Sequence, residues 1–142
     1  MMTSIQIALV QTSFAQVAPI AATAADLFYG RLFEMAPEVR PMFPEDLTEQ
    51  KRKLMAMLGT AVAGLSHLDT MLPTVRALGR RHAGYGVTEE HYASVASALL
   101  WTLEKGLGEE FTFEVEEAWA IAYSVLSTTM LEAANEEVAK AA

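Results

Sequence analysis

Apolar side chains recur every three or four residues along almost the whole chain, and this period constrains the fold more than any other feature. Residues at that spacing share one face of an α-helix, and an apolar face is buried against a neighbouring helix. No stretch shows the alternation that is typical of a half-buried strand. The pattern therefore predicts an all-α protein with six long helices and one short one, packed pairwise rather than as a simple four-helix bundle.

Local start and stop signals divide this period into helices. Pro19 suits the first turn of a helix, and Thr48 and Thr88 are predicted N-caps. A chain of 142 residues without repeats or long linkers is predicted to be one domain, residues 1–142, frayed at 1–3 and 136–142. The predicted long helices span about residues 3–18, 19–36, 48–65, 68–82, 88–106 and 112–135, with a short helical turn at 37–43.

The composition excludes several classes of protein. Without cysteine, the chain has no disulfide, no thiolate metal site and no covalent cofactor attachment through a C-x-x-C-H run. A net charge of −8 argues against nucleic acid and against an anionic membrane surface as partners. Residues 1–25 are uncharged, but three glutamines interrupt them and no basic residue precedes them, so they predict a first helix rather than a signal peptide. A cytoplasmic location is expected.

His82 is the one polar side chain on an otherwise apolar helical face. Met71, Val75, Leu78 and His82 are spaced four, three and four residues apart, and two glycines follow as stop signals. The imidazole is therefore predicted to project from the last turn of an amphipathic helix. It either caps that helix and interacts with its dipole, or acts as a ligand.

Tyr29 and Gln50 are polar residues on the apolar stripes of two other predicted helices. A buried hydroxyl or amide without a partner costs about 1–3 kcal/mol, so each needs one. The two side chains either bond to each other or to the backbone, or they face a polar object inside the helical core.

Four segments stand out along the chain: 27–33 (LFYGRLF), 37–43 (PEVRPMF), 50–54 (QKRKL) and 78–87 (LGRRHAGYGV). In this order and at these spacings they resemble the bacterial single-domain globins, in particular the globin domains of flavohaemoglobins and the neuroglobin-like bacterial haemoglobins. The resemblance runs from about Phe14 to Met130. It implies a globin fold around a pocket for non-covalent haem b.

The resemblance assigns roles on the two sides of the haem. His82 matches the proximal histidine that ligates the iron, and neutral imidazole is a suitable ligand. Its other ring nitrogen should donate to the backbone carbonyl of Leu78, one turn earlier. Phe43 matches the phenylalanine that stacks on the porphyrin.

On the distal side, Tyr29, Gln50 and Leu54 match the ligand pocket of flavohaemoglobin-like globins. The phenol and the amide are expected to donate hydrogen bonds to a bound O2 ligand, and Leu54 is expected to exclude water. Gln50 does not readily ligate iron, so the sixth coordination position is expected to be open to O2, CO or NO.

The resemblance implies further haem contacts. Lys53 and Arg81, together with Arg80, are either partners of the haem propionates or solvated surface charges. His67 and His91 match no ligand position and are interpreted as surface or capping residues. The remaining implied haem contacts are Tyr85, Val87, Tyr92 and Val95.

One departure from the family pattern concerns the proximal side. In flavohaemoglobins a tyrosine and a glutamate bond around the proximal histidine and tune the iron toward redox chemistry; Tyr92 matches the tyrosine. The position of the glutamate, eleven residues after Tyr123, falls on Ala134. The nearest acid, Glu132, is offset by about half a helical turn. Strong electron donation to the iron is therefore not expected.

Three functions follow as hypotheses. The first is a globin that binds O2, CO and NO reversibly and with high affinity, for oxygen storage, delivery or scavenging. The second is a nitric oxide dioxygenase or another haem redox enzyme with a separate reductase, since the chain ends where a flavin and nicotinamide reductase domain would begin. The third is a helical interaction protein without haem. The protein is expected to be a monomer or a homodimer.

Overall fold

The structure, a computed structural model, describes the backbone of residues 2–141 and the side chains of residues 2–136. Within these residues the fold is all-α and contains no strand, as predicted. Four short 3-10 segments connect the helices; Pro37–Met42 is the predicted short one, and the other three were not expected. The α-helices are α1 (Ser4–Val17), α2 (Ala21–Met35), α3 (Thr48–Gly64), α4 (Leu68–Gly84), α5 (Glu89–Leu107) and α6 (Phe113–Ala141).

Side-chain hydrogen bonds satisfy backbone N–H groups at several helix starts. At α1, Thr3 Oγ1 accepts from the backbone N–H of Gln6 at 3.1 Å, and the Gln6 side chain accepts from Thr3 in return. At α5, the Thr88 N–H donates to Nδ1 of His91 at 3.0 Å, so His91 is a capping residue. The prediction that Thr48 caps α3 is wrong: the Asp46 carboxylate accepts from both its N–H and its hydroxyl, and Thr48 is the first residue of the helix.

The final helix extends six residues past its predicted end at Asn135. The fraying predicted for 136–142 lies largely outside the residues whose side chains are described. By length and hydropathy alone, Ser4–Met35 qualifies as a segment that could cross a membrane, although the same test accepts core helices. The structure divides this stretch into α1, a turn at Pro19, and α2, and both helices pack against α5.

The buried apolar side chains form two clusters. The first cluster is contributed by α1, α2, α3, α5 and α6 and includes Phe28, Leu99 and Trp119. The second cluster lies where α4, α5 and α6 meet and contains Val75, Tyr92 and Met130. Tyr123 on α6 packs against both.

Buried polar groups link these helices through hydrogen bonds. The Trp119 indole N–H donates to the Ser13 hydroxyl at 2.8 Å, which ties α6 to α1. The Tyr123 hydroxyl donates to the backbone carbonyl of Tyr92 at 2.7 Å, which ties α6 to the start of α5. Because both donors are satisfied, the aromatic side chains are buried without the cost of an unpaired polar group.

Candidate functional site

Tyr29 and Gln50 meet across the α2–α3 contact. The Gln50 side-chain N–H donates to the Tyr29 hydroxyl oxygen at 3.2 Å. Burial raises the pKa of Tyr29, against a smaller lowering by the Gln50 hydrogen bond, so the phenol keeps its proton at neutral pH. Among the described residues this proton has no acceptor. A Gln50 N–H therefore has an acceptor in the Tyr29 oxygen, and the Tyr29 O–H remains available to a further partner.

Aromatic rings hold Tyr29 on several sides. Phe28 and Phe43 meet it edge to face, with ring centroids 5.1 and 5.6 Å away, and Phe33 lies at 5.8 Å. Phe33 and Phe43 also contact each other at 5.6 Å. Such contacts add to burial and restrict the ring rotamers. The predicted stacking residue Phe43 therefore lies next to the predicted ligand-binding tyrosine.

Arg40 is a supporting residue that the sequence analysis missed. Its guanidinium donates to the carbonyl oxygens of Phe43, Pro44 and Glu45, at 3.3, 3.1 and 3.0 Å. The same group lies 5.1 Å from the centroid of the Phe33 ring. Five donors in a rigid fork suit this task, because no helix satisfies the carbonyls of this irregular segment. The signal available in the sequence was an arginine within a turn bracketed by three prolines.

Replacing Arg40 by lysine is expected to lower the free energy of unfolding by about 1–2 kcal/mol, because one ammonium cannot reproduce a planar fork that reaches three carbonyls. Urea denaturation of the haem-free protein measures this. Arg52→Lys is the matched control, since Arg52 is exposed and pairs only with Glu49. Equal stability of the two variants would contradict the role given to Arg40.

Leu54 and Val95 contribute apolar surface to the same region. Both are half-buried and pack against the first cluster, which also contains Tyr29. Leu54 borders a small apolar cavity of about 20 Å³ between α1, α2, α3, α5 and α6. The Tyr29 ring itself lies among apolar side chains.

His82 projects from the last turn of α4, as predicted. Its Nδ1 lies 2.9 Å from the carbonyl oxygen of Leu78, and the carbonyl can only accept, so Nδ1 carries the proton. Burial lowers the pKa of His82, the Leu78 bond raises it less, and the charge of Arg81 lowers it further. The ring is therefore neutral at pH 7, with the lone pair of Nε2 free to bind a metal. The helix ends at Gly84, and Gly86 takes a φ of 86° that favours glycine.

Tyr92 lies beside His82, and its hydroxyl forms no hydrogen bond within the described part of the chain. The two ring centroids are 6.4 Å apart. The Tyr92 hydroxyl is buried and has no hydrogen-bond partner among the described residues. Glu132 is exposed and forms no hydrogen bond to this hydroxyl. The described part of this region therefore contains no carboxylate that would polarise the imidazole through Tyr92.

The other predicted contacts differ in exposure. Val87 is half-buried against the second cluster. Tyr85 lies 5.9 Å from the His82 ring, but 64% of it is exposed. Lys53 and Arg81 are exposed and form no ion pair within the described residues, whereas Arg80 has an interaction of its own. Two cations therefore remain for an external anion.

The predicted residues thus form two groups on two clusters. Tyr29, Gln50, Phe43, Leu54 and Val95 belong to the first, and His82, Tyr92, Val87 and Tyr85 belong to the second or flank it. No group of three or more His, Cys, Asp or Glu side chains that could hold a metal ion occurs in the described part of the chain. A lone imidazole suits a metal that brings its other ligands with it, as haem iron does. The residues present fit haem.

Comparison with known sequences points to the same class of protein. The family model described as Globin matches residues 26–130. The flavohemoprotein of Bordetella parapertussis is 33% identical over 107 residues, which are 73% of this chain and 27% of the relative. The flavohemoprotein of Bacillus subtilis is 28% identical over 112 residues, 77% of this chain and 28% of the relative. The chain thus spans about a quarter of the length of the curated relatives it matches.

Solved structures agree on the fold. A globin of Campylobacter jejuni has a TM-score of 0.77 and 24% identity, covering 96% of this chain and 99% of its own. A carbene transferase engineered from a candidate nitric oxide dioxygenase of Rhodothermus marinus has a TM-score of 0.86 and 24% identity, with coverages of 98% and 97%. At this identity the likeness concerns the fold, and it confirms the predicted globin architecture. Since the family model also covers more than half of its residues, the chain belongs to the globin family, whose members hold haem.

Proposed function

We propose that this globin holds non-covalent haem b through His82 and binds O2 reversibly and with high affinity, for oxygen storage, delivery or scavenging in the cytoplasm. CO and NO are expected at the same position. One observation carries the proposal: Tyr29 is a buried, protonated phenol whose proton has no acceptor among the described residues and whose oxygen is held by Gln50. A buried O–H group whose proton has no acceptor suits a small polar ligand as its partner.

His82 would hold the haem iron through Nε2. Bound haem would supply a metal that binds a diatomic gas. The Leu78 carbonyl accepts a hydrogen bond from Nδ1 of His82, so the lone pair of Nε2 would be left for the metal. Because burial keeps the imidazole neutral, no proton has to leave before ligation.

Tyr29 and Gln50 would set the lifetime of the ligand. The Tyr29 O–H and a Gln50 N–H would donate hydrogen bonds to a diatomic ligand that carries partial negative charge, and such bonds would stabilise O2 more than CO. Phe43 and Leu54 keep their surroundings apolar, which strengthens such bonds. Lys53 and Arg81 are the exposed cations proposed for the propionates.

A nitric oxide dioxygenase with a separate reductase is the second candidate, and the flavohemoprotein relatives favour it. The proximal side argues against efficient redox catalysis. The Tyr92 hydroxyl meets no carboxylate among the described residues, so His82 donates only to a neutral carbonyl. A neutral acceptor raises the basicity of the ligand less than a carboxylate does.

The test is spectroscopy of the haem-reconstituted protein followed by a turnover assay. We expect a Soret band, reversible O2 binding to the ferrous form, and nitrate production from NO that stops after one equivalent even with a supplied flavin reductase. Sustained nitrate production over many equivalents would favour the dioxygenase. No Soret band after reconstitution would leave only the helical interaction protein.

A further inference from the structure

Gly79 lies at the closest approach of α4 and α6. A Cβ atom added to Gly79 would lie 2.3 Å from the carbonyl oxygen of Met130 and 2.5 Å from its Cα. Ordinary contacts of a Cβ atom begin at 3.4 Å. The obstructing atoms are backbone, so no side chain can rotate away to relieve the contact. At Gly64, by contrast, the atoms in the way belong to the flexible Met71 side chain.

This contact lies next to the hydrogen bond that holds His82. The Leu78 carbonyl, which accepts from His82 Nδ1 at 2.9 Å, belongs to the peptide group that ends at the Gly79 nitrogen. The carbonyl of this peptide group therefore orients the imidazole, and Gly79, which supplies its nitrogen, lies against the α6 backbone. Helix α4 is rigid over one turn, so the depth of Gly79 against α6 also sets the position of His82.

Other contacts make α6 a fixed support for this arrangement. Met130 is buried in the second cluster with Val75 of α4. Arg76 of α4 forms an ion pair with Glu136 of α6, and the Tyr123 hydroxyl holds the Tyr92 backbone. Displacement at Gly79 would therefore move α4 relative to α6 and Tyr92.

We propose that Gly79 is a positioning residue of the proximal histidine: its missing Cβ sets the spacing between α4 and α6 and thereby the placement of His82 and its Leu78 acceptor. The proposal rests on haem ligation by His82. Any side chain at position 79 forces the helices apart by on the order of 1 Å, a displacement that matters wherever function depends on exact geometry. Glycine inside a helix is less favourable than alanine, and this role explains why a glycine stands at position 79.

The test compares Gly79→Ala with Gly84→Ala. Gly84 belongs to the same helix, and a Cβ atom there meets nothing within 4 Å. Two readouts report on the imidazole: the iron–imidazole stretching band in the resonance Raman spectrum of the ferrous protein, and the NMR signal of the His82 Nδ1 proton in the haem-free protein. We expect Gly79→Ala to shift both and to lower haem affinity about 10- to 100-fold, the effect typical of disturbing an outer partner of a metal-bound histidine. Gly84→Ala should leave both signals in place.

The variant Val75→Ala distinguishes the positioning role proposed for Gly79 from a purely structural role in the α4–α6 contact. This change removes buried atoms from the same α4–α6 contact and lowers stability, yet it inserts nothing between the helices. An unchanged band and an unchanged proton signal in folded Gly79→Ala, or equal shifts in Val75→Ala, would overturn the proposal.

Two safeguards keep the test decisive. If Gly79→Ala does not fold without haem, it is refolded with haem present, because a bound ligand stabilises the native state, and its band is compared with that of Gly84→Ala prepared in the same way; an unshifted band there would also overturn the proposal. A protein with Gly79 intact that shows no iron–imidazole band would contradict the proposed function instead. The proton signal of the haem-free protein tests the positioning of His82 independently of haem.

Discussion

Replacing His82 by alanine is expected to abolish axial ligation and to lower haem affinity by more than about 100-fold, because losing the ligand must cost at least as much as losing one of its outer partners. The two other histidines are placed differently: His67 is exposed at the end of a 3-10 segment, and the His91 ring accepts from the Thr88 N–H. The Soret spectrum of the ferrous protein and the rate of haem transfer to an acceptor globin measure the change.

The matched control is His67→Ala, the same substitution at an exposed histidine, which should leave the spectrum and the transfer rate unaltered. Imidazole added to the solution should restore a five-coordinate spectrum in His82→Ala, because the space left by the side chain accepts the free ligand. If His82→Ala retains haem with the same spectrum and transfer rate, the assignment of the axial ligand is wrong.

Replacing Tyr29 by phenylalanine is expected to speed O2 dissociation roughly 10- to 100-fold. A hydrogen bond to a charged acceptor is worth about 1.5–3 kcal/mol, and each 1.4 kcal/mol is a factor of ten in rate. Because phenylalanine keeps the ring contacts with Phe28, Phe33 and Phe43, the change isolates the hydroxyl. Stopped-flow displacement of O2 by CO gives the dissociation rate.

Tyr123→Phe serves as the control for this change. It removes a half-buried hydroxyl that donates to the Tyr92 carbonyl, so it should lower the free energy of unfolding and leave O2 release unaltered. Gln50→Leu should speed O2 release less than Tyr29→Phe does, since Gln50 already donates one N–H to the Tyr29 oxygen. Equal release rates in Tyr29→Phe and the unaltered protein would remove Tyr29 from ligand binding.

Features encoded within one or two helical turns were predictable. The apolar period gave six long helices close to their observed bounds, and the Leu78–His82 bond follows from the i, i+4 geometry of any helix. The Gly79–Met130 contact joins residues far apart in the chain, and the sequence signal was only a glycine inside a helical pattern. Arg40 was missed because its acceptors lie in an irregular segment whose path no period describes.

Helical periodicity and local hydrogen bonds act over a few residues, so the helices, their apolar faces and the side of α4 that carries His82 follow from the order of the amino acids. Three features required the packed molecule: Gln50 donates to Tyr29, α4 meets α6 at a glycine, and the Tyr92 hydroxyl lies buried without a carboxylate partner among the described residues. These features depend on the depth and angle at which helices pack, and many side chains distributed along the chain set that depth and angle together.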